Sequence, residues 1–251
     1  MGTRIVLAVS LVLLSGCVPG DGNSFAFDDP EVGRIHDRMM GVIAPDRGWE
    51  RARYIEFDWA IGENVRRHRW DRWEGDARYE AQTADGTVVA IFNAHEPMAG
   101  RVWLDGLEVT GEDAVTRLTA AYRAHINDSY WLLMPYKWTD PGVDTRYLGE
   151  QIDDEGRRWE VIELAFADAA GLTPQNVYHA FINPETGRME RWHYFSNPEA
   201  DAAPSDWTEW RRYGPIELAE NRRVGGEPRI FFPHLRVESS VPAGVFDPLT
   251  P

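Results

Sequence analysis

Cysteine is nearly absent from this sequence, and so is any long hydrophobic run. The 251 residues contain a single cysteine, Cys17, so no disulfide can form within the chain. The apolar run from Ile5 to Leu14 is shorter than the roughly 20 residues that a membrane-spanning helix needs. The composition therefore predicts a globular chain that is held together by a packed core rather than by disulfides.

Positive charge is also scarce. The chain has 26 Lys and Arg against 41 Asp and Glu, a formal net charge of −15, and its one compact basic cluster is residues 66–72. Proteins that bind nucleic acid neutralise phosphates with clustered Lys and Arg, and an anionic membrane surface attracts the same residues. The charge balance argues against both partners.

The familiar catalytic and cofactor motifs are missing as well. No G-x-S-x-G, H-E-x-x-H, phosphate-loop or paired-cysteine spacing occurs in the sequence. We therefore expect a protein that is not an enzyme and that carries no cofactor.

Aromatic residues are plentiful, and they are densest in the segment 130–143. This segment contains Trp131, Leu133 and Met134, then Pro135, and it ends in Asp140-Pro141-Gly142-Val143, a pattern typical of a type II turn. Because proline cannot donate a ladder hydrogen bond, we expect the run to lie at a sheet edge or bulge, or to form a loop. An apolar wall at the rim of a sheet suits the mouth of a ligand site, although it also suits an ordinary core.

The N-terminus has the pattern of a secretory signal. Arg4 precedes the apolar run, which ends in Leu14-Ser15-Gly16-Cys17. These four residues resemble the lipobox of bacterial lipoproteins, which implies cleavage before Cys17 and acylation of that residue. We expect residues 1–16 to be a signal peptide and residues 17–29 a flexible tether. Val18 lies where an aspartate would resemble an inner-membrane retention signal, which favours the outer membrane.

Residue periodicity predicts a mainly β protein with two helices. A helix over about 31–43, capped by Asp29, precedes strands over 49–61, 65–73, 77–83 and 87–92. A second helix over 111–127 is followed by strands over 157–166, 176–182, 188–195, 207–218 and 229–237. The strands follow one another too closely for crossover helices. We predict one curved antiparallel sheet of nine to eleven strands in a single domain, residues 30–246, with a tail at 247–251.

Two charged or polar patterns have both a structural and a functional interpretation. Alternation places Arg67, Arg69 and Asp71 on one face of a strand, which fits either a solvated face or a contact with an anion or lipid headgroup. His179 and His193 are expected to share a face of a hairpin. They could hold a metal together with one carboxylate, or they could simply pack on an apolar face.

The order of elements resembles a known family. The lipobox, the N-terminal helix, the four-strand meander, the second helix, the motif at 131–142 and the turn at 183–187 are similar to an uncharacterised family of bacterial envelope lipoproteins. Those in turn resemble LolA/LolB-type lipoprotein carriers. The resemblance implies an incompletely closed β-barrel with helices covering its open side and an apolar cavity between them. It brings no catalytic residues.

Together these observations favour a lipid-anchored envelope protein, facing the periplasm, that binds an acyl chain or a lipoprotein. The residues predicted to line its hydrophobic cavity are Phe57, Trp59, Trp131, Leu133, Met134, Phe181 and Phe195. The alternative is an envelope hydrolase or metal-dependent enzyme that uses the His179/His193 face. A third hypothesis, carbohydrate binding, requires tryptophans on a solvent-facing strip.

Overall fold

The computed structural model describes residues 27–167 and 171–249. The helices are α1 (Pro30–Ile43), the single turn α2 (Gly48–Arg51) and α3 (Gly111–Leu133), with short 3-10 helices at Pro97–Ala99 and Met134–Tyr136. None of the helices in these ranges is both long enough and apolar enough to cross a bilayer. Cys17 and the predicted signal peptide lie outside the described residues.

Fourteen strands form one antiparallel sheet in the described part of the chain. They are β1 (Tyr54–Ile61), β2 (Asn64–Asp71), β3 (Asp76–Thr83), β4 (Gly86–Asn93), β5 (Arg101–Leu104), β6 (Leu107–Val109), β7 (Val143–Ile152), β8 (Arg158–Phe166), β9 (Val177–Ile182), β10 (Met189–Phe195), β11 (Ala203–Tyr213), β12 (Ile216–Val224), β13 (Glu227–Phe231) and β14 (Leu235–Glu238).

The sheet consists of two meanders that meet at β1. Strands β1 to β6 pair in sequence order, and so do β7 to β13. One edge of β1 pairs with β2, while the other pairs with β14 along Tyr54–Phe57 and with β13 at Ala60. Strands β6 and β7 are the two edges of the sheet, and α3 connects them. This arrangement confirms the predicted single curved antiparallel sheet that is incompletely closed, with helices at its open side.

The predicted number of strands was too low. Strands β5 and β6 have only four and three residues, too few to show an alternating pattern. The hairpin of β11 and β12 turns at Gly214, and it was predicted as one strand over 207–218. Strand β7 was not predicted at all. Its residues alternate between half-buried and exposed over 143–147, but the bulge between Tyr147 and Gly149 ends the alternation and no residue of the strand is fully buried.

Helix α1 forms as predicted. The Asp29 side chain accepts a hydrogen bond from the Glu31 backbone N–H, which satisfies a donor that the first helical turn leaves free. Val32, Ile35 and Met39 are fully buried on one stripe of the helix. This stripe fixes α1 against the concave side of the sheet.

Helix α3 is longer than predicted, and residues 130–133 belong to it rather than to a sheet edge or a loop. Pro135 lies in the following 3-10 helix, where the lack of an N–H breaks no helical hydrogen bond. The predicted turn after it is confirmed. Gly142 has a φ of 81°, and the Val143 N–H donates to the Asp140 carbonyl over 3.1 Å.

The buried apolar residues form three groups. The largest lies among α1, the C-terminal turns of α3 and the strands β1 and β8 to β13. A second lies between α3 and β3, β4 and β5. The third is on the opposite, convex face of the sheet, where Trp159, Val161 and Phe181 pack with Leu148. Helix α3 therefore contributes to two of the three groups.

Candidate functional site

Helix α3 presents two different stripes. The core stripe is buried and includes Leu118, Ala121 and His125. A second stripe, on another side of the helix, has residues at intervals of three and four: Ala120, Arg123, Ala124, Asn127, Tyr130 and Trp131. All six of these residues line a cavity of about 690 Å³ between α3 and the concave face of the sheet.

The opposite wall of this cavity is aromatic. Phe166 at the end of β8, Tyr178 on β9 and Tyr194 on β10 face α3, and the segment 171–173 with Asn176 completes the wall. The Tyr130 ring on α3 lies 5.1 Å from the Tyr178 ring and 6.0 Å from the Phe166 ring. We call this space, with Ile126 and Arg66 as its remaining lining residues, the α3 cavity.

Tyr130 and Tyr178 remain protonated at neutral pH. Burial raises the pKa of Tyr178 to about 12 and raises that of Tyr130 well above its ordinary value. The Tyr178 and Tyr194 hydroxyls each lie near the Asn176 amide, at 3.4 and 3.5 Å. The Tyr130 hydroxyl is buried and has no hydrogen-bond partner among the described residues. This wall therefore combines apolar ring faces with a few neutral hydroxyls.

Trp131 is held from both its side chain and its backbone. Its ring packs edge-on against Trp192 at a centroid distance of 4.3 Å. Its carbonyl accepts hydrogen bonds from the guanidinium of Arg222, at 2.9 and 2.6 Å. Arg222 is fully buried, stacks on Trp207 at 3.4 Å and also donates to the Ala219 carbonyl. A guanidinium at the C-terminal end of a helix is stabilised by the helix dipole, so Arg222 anchors α3 at this end.

The base of the cavity contains a buried polar group of residues. The Asp128 carboxylate, on α3, accepts from Arg66 at 2.5 Å and from the Asn127 amide at 2.9 Å, and His68 Nε2 lies 2.9 Å from its other oxygen. Burial lowers the pKa of His68, so the imidazole is neutral and donates this hydrogen bond. The Arg66 guanidinium also stacks on Trp59 at 3.8 Å.

The structure brings only one of the predicted cavity residues into the α3 cavity. Trp131 lines it. Leu133 and Met134 are fully buried in the largest core group. Phe57 is also fully buried and stacks on His68, while the Trp59 ring stacks on the guanidinium of Arg66. These four residues shape the surroundings of the cavity instead of its wall.

Phe181 and Phe195, the two predicted cavity residues of the β9–β10 hairpin, lie on the convex face of the sheet. Side chains two residues apart on a strand share a face, so Phe181 goes with His179 and not with Tyr178. Phe181 belongs to the convex apolar group, and the Phe195 ring lies 4.6 Å from that of His179. The prediction that these two residues share a face with His179 was correct, but that face points away from α3.

His179 and His193 share this convex face and are direct cross-strand partners, not diagonal ones. Burial lowers the pKa of both imidazoles, with Arg191 contributing for His193 and Glu163 opposing for His179. Glu163 lies 3.4 Å from His179. No group of three His, Cys, Asp or Glu in the described ranges could hold a metal.

The basic cluster in β2 divides between the two faces. Arg67 and Arg69 pair with acidic side chains, Asp58 for the former and Glu56 and Glu80 for the latter. The face that was a candidate for anion contact is therefore occupied by internal ion pairs. Arg66 lies on the concave face and lines the cavity.

Several cavity residues could not be assigned from sequence periodicity of the strands alone. Tyr178, Tyr194 and Phe166 were missed because the face of each strand that meets the helix is set by the tertiary arrangement. A signal for the helical wall was present in α3. Ala120, Ala124 and Trp131 lie on one side of the helix, where small residues leave room beside a large one.

Comparison with known proteins gives structural similarity alone. No protein-family model and no curated sequence matches the chain. Solved structures with a similar arrangement include a DUF1329 family protein from Desulfovibrio piger (12% identity, TM-score 0.44, covering 86% of this chain and 97% of that one). Others are a putative outer membrane lipoprotein-sorting protein domain from Vibrio parahaemolyticus (9%, 0.42, 85% and 95%) and a LolA superfamily protein from Nitrosomonas europaea (9%, 0.41, 85% and 96%). Similarity at this level does not transfer a ligand or an activity.

Proposed function

We propose that this protein binds an acyl chain, or another elongated hydrophobic ligand, in the α3 cavity. The observation that carries the proposal is the cavity itself, about 690 Å³ with walls formed largely by aromatic and aliphatic side chains. Ligand sites typically enclose roughly 300–1,000 Å³ and have mainly apolar walls with a few polar groups. The hydroxyls of Tyr178 and Tyr194 and the amide of Asn176 are such polar groups.

The cavity walls are held in place by contacts within the protein, which supports binding to a largely formed site. Arg222 fixes the carbonyl of Trp131, and Trp192 supports its ring. Tyr178 contacts Tyr130, Phe166, Trp192 and Tyr194. A site whose side chains are already ordered loses less conformational entropy when a ligand binds.

Trp131→Ala tests the proposal. Binding of a fluorescent fatty-acid probe should weaken by roughly tenfold or more, because the ring supplies apolar wall area to the ligand. The free energy of unfolding should fall by less than the about 3–5 kcal/mol typical of a fully buried tryptophan, since the Trp131 ring is only half-buried.

The matched control is Trp73→Ala, which removes an exposed tryptophan that does not line the cavity. It should leave probe binding unchanged. Failure of the unmodified protein to bind any fatty-acid probe would overturn the proposal, and so would equal losses of probe binding in the two variants.

We also propose that Cys17 carries a lipid anchor and that the protein lies in the cell envelope, attached to the outer membrane. The lipobox-like residues 14–17 support this proposal. A doubly or triply acylated residue binds a membrane stably, whereas one chain binds only marginally. In cell fractionation, Cys17→Ser should release the protein from membranes or leave its signal uncleaved. Unchanged membrane retention and processing would exclude the anchor.

A further inference from the structure

The charge of the α3 cavity is opposite to the charge of the protein. The whole chain has a formal net charge of −15. The described residues that line the cavity nevertheless include two arginines, Arg66 and Arg123, and no Asp or Glu. An excess of acid elsewhere and its absence from the described lining mean that an anion meets less repulsion from these residues than on an average patch of the surface.

Arg66 has donors that the protein does not use. One terminal nitrogen donates to Asp128, and the other donates to no described residue, whereas Nε is buried and is not available to a ligand. The side chain is 29% exposed and lines the cavity. Stacking on Trp59 and the bond to Asp128 fix the plane of the guanidinium. Its planar fork of donors suits a carboxylate or phosphate.

Arg123 supplies the uncompensated charge. Asp128 neutralises Arg66, and this carboxylate is fully buried beneath Arg66, His68 and Asn127, so it does not face the cavity. Arg123 is exposed and forms no ion pair or hydrogen bond with a described residue. It lies one helical turn before Asn127 on the cavity stripe of α3.

The polar and apolar parts of the cavity are separated along the helix. Arg123 and Asn127 lie on the N-terminal side, and Tyr130 and Trp131 follow toward the C-terminus. At 1.5 Å per residue, Arg123 and Tyr130 are roughly 10 Å apart along the axis. The cavity is therefore amphipathic: Arg123 lies at one end, Arg66 reaches the middle of the stripe at Asp128, and the aromatic rings lie at the other end.

We infer that the ligand is an anionic amphiphile whose carboxylate or phosphate head lies at Arg66 and Arg123 and whose hydrocarbon chain lies against Tyr130, Trp131 and Tyr178. This inference rests on the proposed binding function and specifies its ligand class. The carboxylate of a fatty acid and the phosphate of an alkyl or lysolipid phosphate share the required chemistry.

Calorimetric titration with ligands of one chain length tests the inference. Dodecanoate and dodecyl phosphate should bind at least roughly tenfold more tightly than dodecanol, because hydrogen bonds to a charged group are stronger than neutral ones. Whichever of the two anions binds more tightly identifies the head group that the arginines prefer.

Two variants locate the head group. Arg123→Gln should weaken dodecanoate binding by roughly tenfold and leave dodecanol binding unchanged. Arg66→Lys keeps a cation beside Asp128 but loses the planar fork, so it should also weaken dodecanoate selectively. Arg229→Gln is the control, since Arg229 is exposed on β13 and does not line the cavity. It should change neither affinity.

The outcomes separate the two proposals. Equal affinity for dodecanol and dodecanoate would overturn the inference about charge while leaving hydrophobic binding intact. If Arg123→Gln lowers the affinity for dodecanoate and for dodecanol equally, the assigned position of the head group is wrong. Absence of binding by all three ligands would overturn the proposed function, and the inference with it.

Discussion

The two sides of α3 are built from similar apolar residues but are filled differently. On the side of β3 to β5, alanines of the sheet meet Leu118, and Gly100 lies so close that an added Cβ would be 3.0 Å from the Leu118 side chain. On the side of β8 to β10, alanines of the helix meet tyrosines and Phe166, and about 690 Å³ stays open. We refer to these as the packed side and the cavity side.

This difference shows that apolar composition does not decide whether a helix and a sheet close on each other. On the packed side, small residues on the sheet accommodate a larger residue of the helix, as in a close-packed interior. On the cavity side, the large rings of the sheet contact one another, as Tyr178 does with Tyr194 and Phe166, and the helix meets them through Tyr130 while its alanines leave the space open. The matching of sizes across the interface is what fills the space.

Truncation of the packed side should give the largest effect. Leu118→Ala should lower the free energy of unfolding by about 2–5 kcal/mol, because Leu118 is 2% exposed and its removal leaves a void. Urea denaturation measures this loss. The matched control is Val115→Ala one turn earlier, where the side chain is 52% exposed and the loss should be small. Equal losses in the two variants would contradict the distinction between packed and open surroundings.

Enlargement of alanines should separate the two sides most sharply. Ala121→Leu adds volume to the packed side and should cost about 1–3 kcal/mol of stability by overpacking. Ala120→Leu, at an exposed position on the cavity side, should change stability much less and should weaken ligand binding by occupying the cavity. Denaturation and probe titration on both variants measure the two effects. The comparison fails if Ala120→Leu is the more destabilising change.

Acid should weaken the packed side by a smaller amount. Burial lowers the pKa of His125 to about 3, and the nearby His68 adds to the shift. Below pH 6.5 His125 binds a proton in the unfolded chain, whereas in the folded chain it does not bind that proton until about pH 3. Stability is therefore present above pH 6.5 and lost as the pH falls toward 3, by about 1 kcal/mol for this group between pH 7 and 5.5.

His125→Phe keeps an aromatic ring beside Trp70 and Phe92 but cannot take up a proton. Urea denaturation at the two pH values should show a smaller loss of stability in this variant than in the unmodified protein. An unchanged pH dependence would mean that water reaches the imidazole, and so that this part of the helix is not closely packed.

Local pattern was sufficient to predict much of the fold. Strands β2 to β4 and helix α1 were predicted near their observed bounds, α1 because Asp29 with Pro30 marks its start. Strand β1 was predicted from residue 49, but it begins at Tyr54, after the single turn α2. The helical assignment of residues 130–133 was missed. Pro135 suggested a break in a strand, although a proline just beyond the end of a helix is equally common. Polar Asp128 and Ser129, both buried, also obscured the continuation of the apolar stripe.

The cavity was less predictable, for a physical reason. Trp131 was identified from its dense aromatic surroundings, but Tyr178 and Tyr194 come to it from strands far along the chain. Whether Phe181 or Tyr178 faces the helix depends on which face of β9 is concave, and the alternation of β9 is the same in either case. The sequence pattern indicated Arg67 and Arg69 rather than Arg66, because alternation alone does not show which face of β2 is concave.

The position of β1 has a consequence for how the chain reaches this structure. Nearly all strand pairs are hairpins between neighbours in sequence, so they form without closing long loops. The pairing of Tyr54–Phe57 with β14 is different, because it joins residues near the two ends of the described chain. Its loop-closure entropy is the highest of any pair in the sheet, and it contributes most to the contact order. Each meander is therefore made of local pairs, and the two are coupled through β1 and through α3, which packs against both.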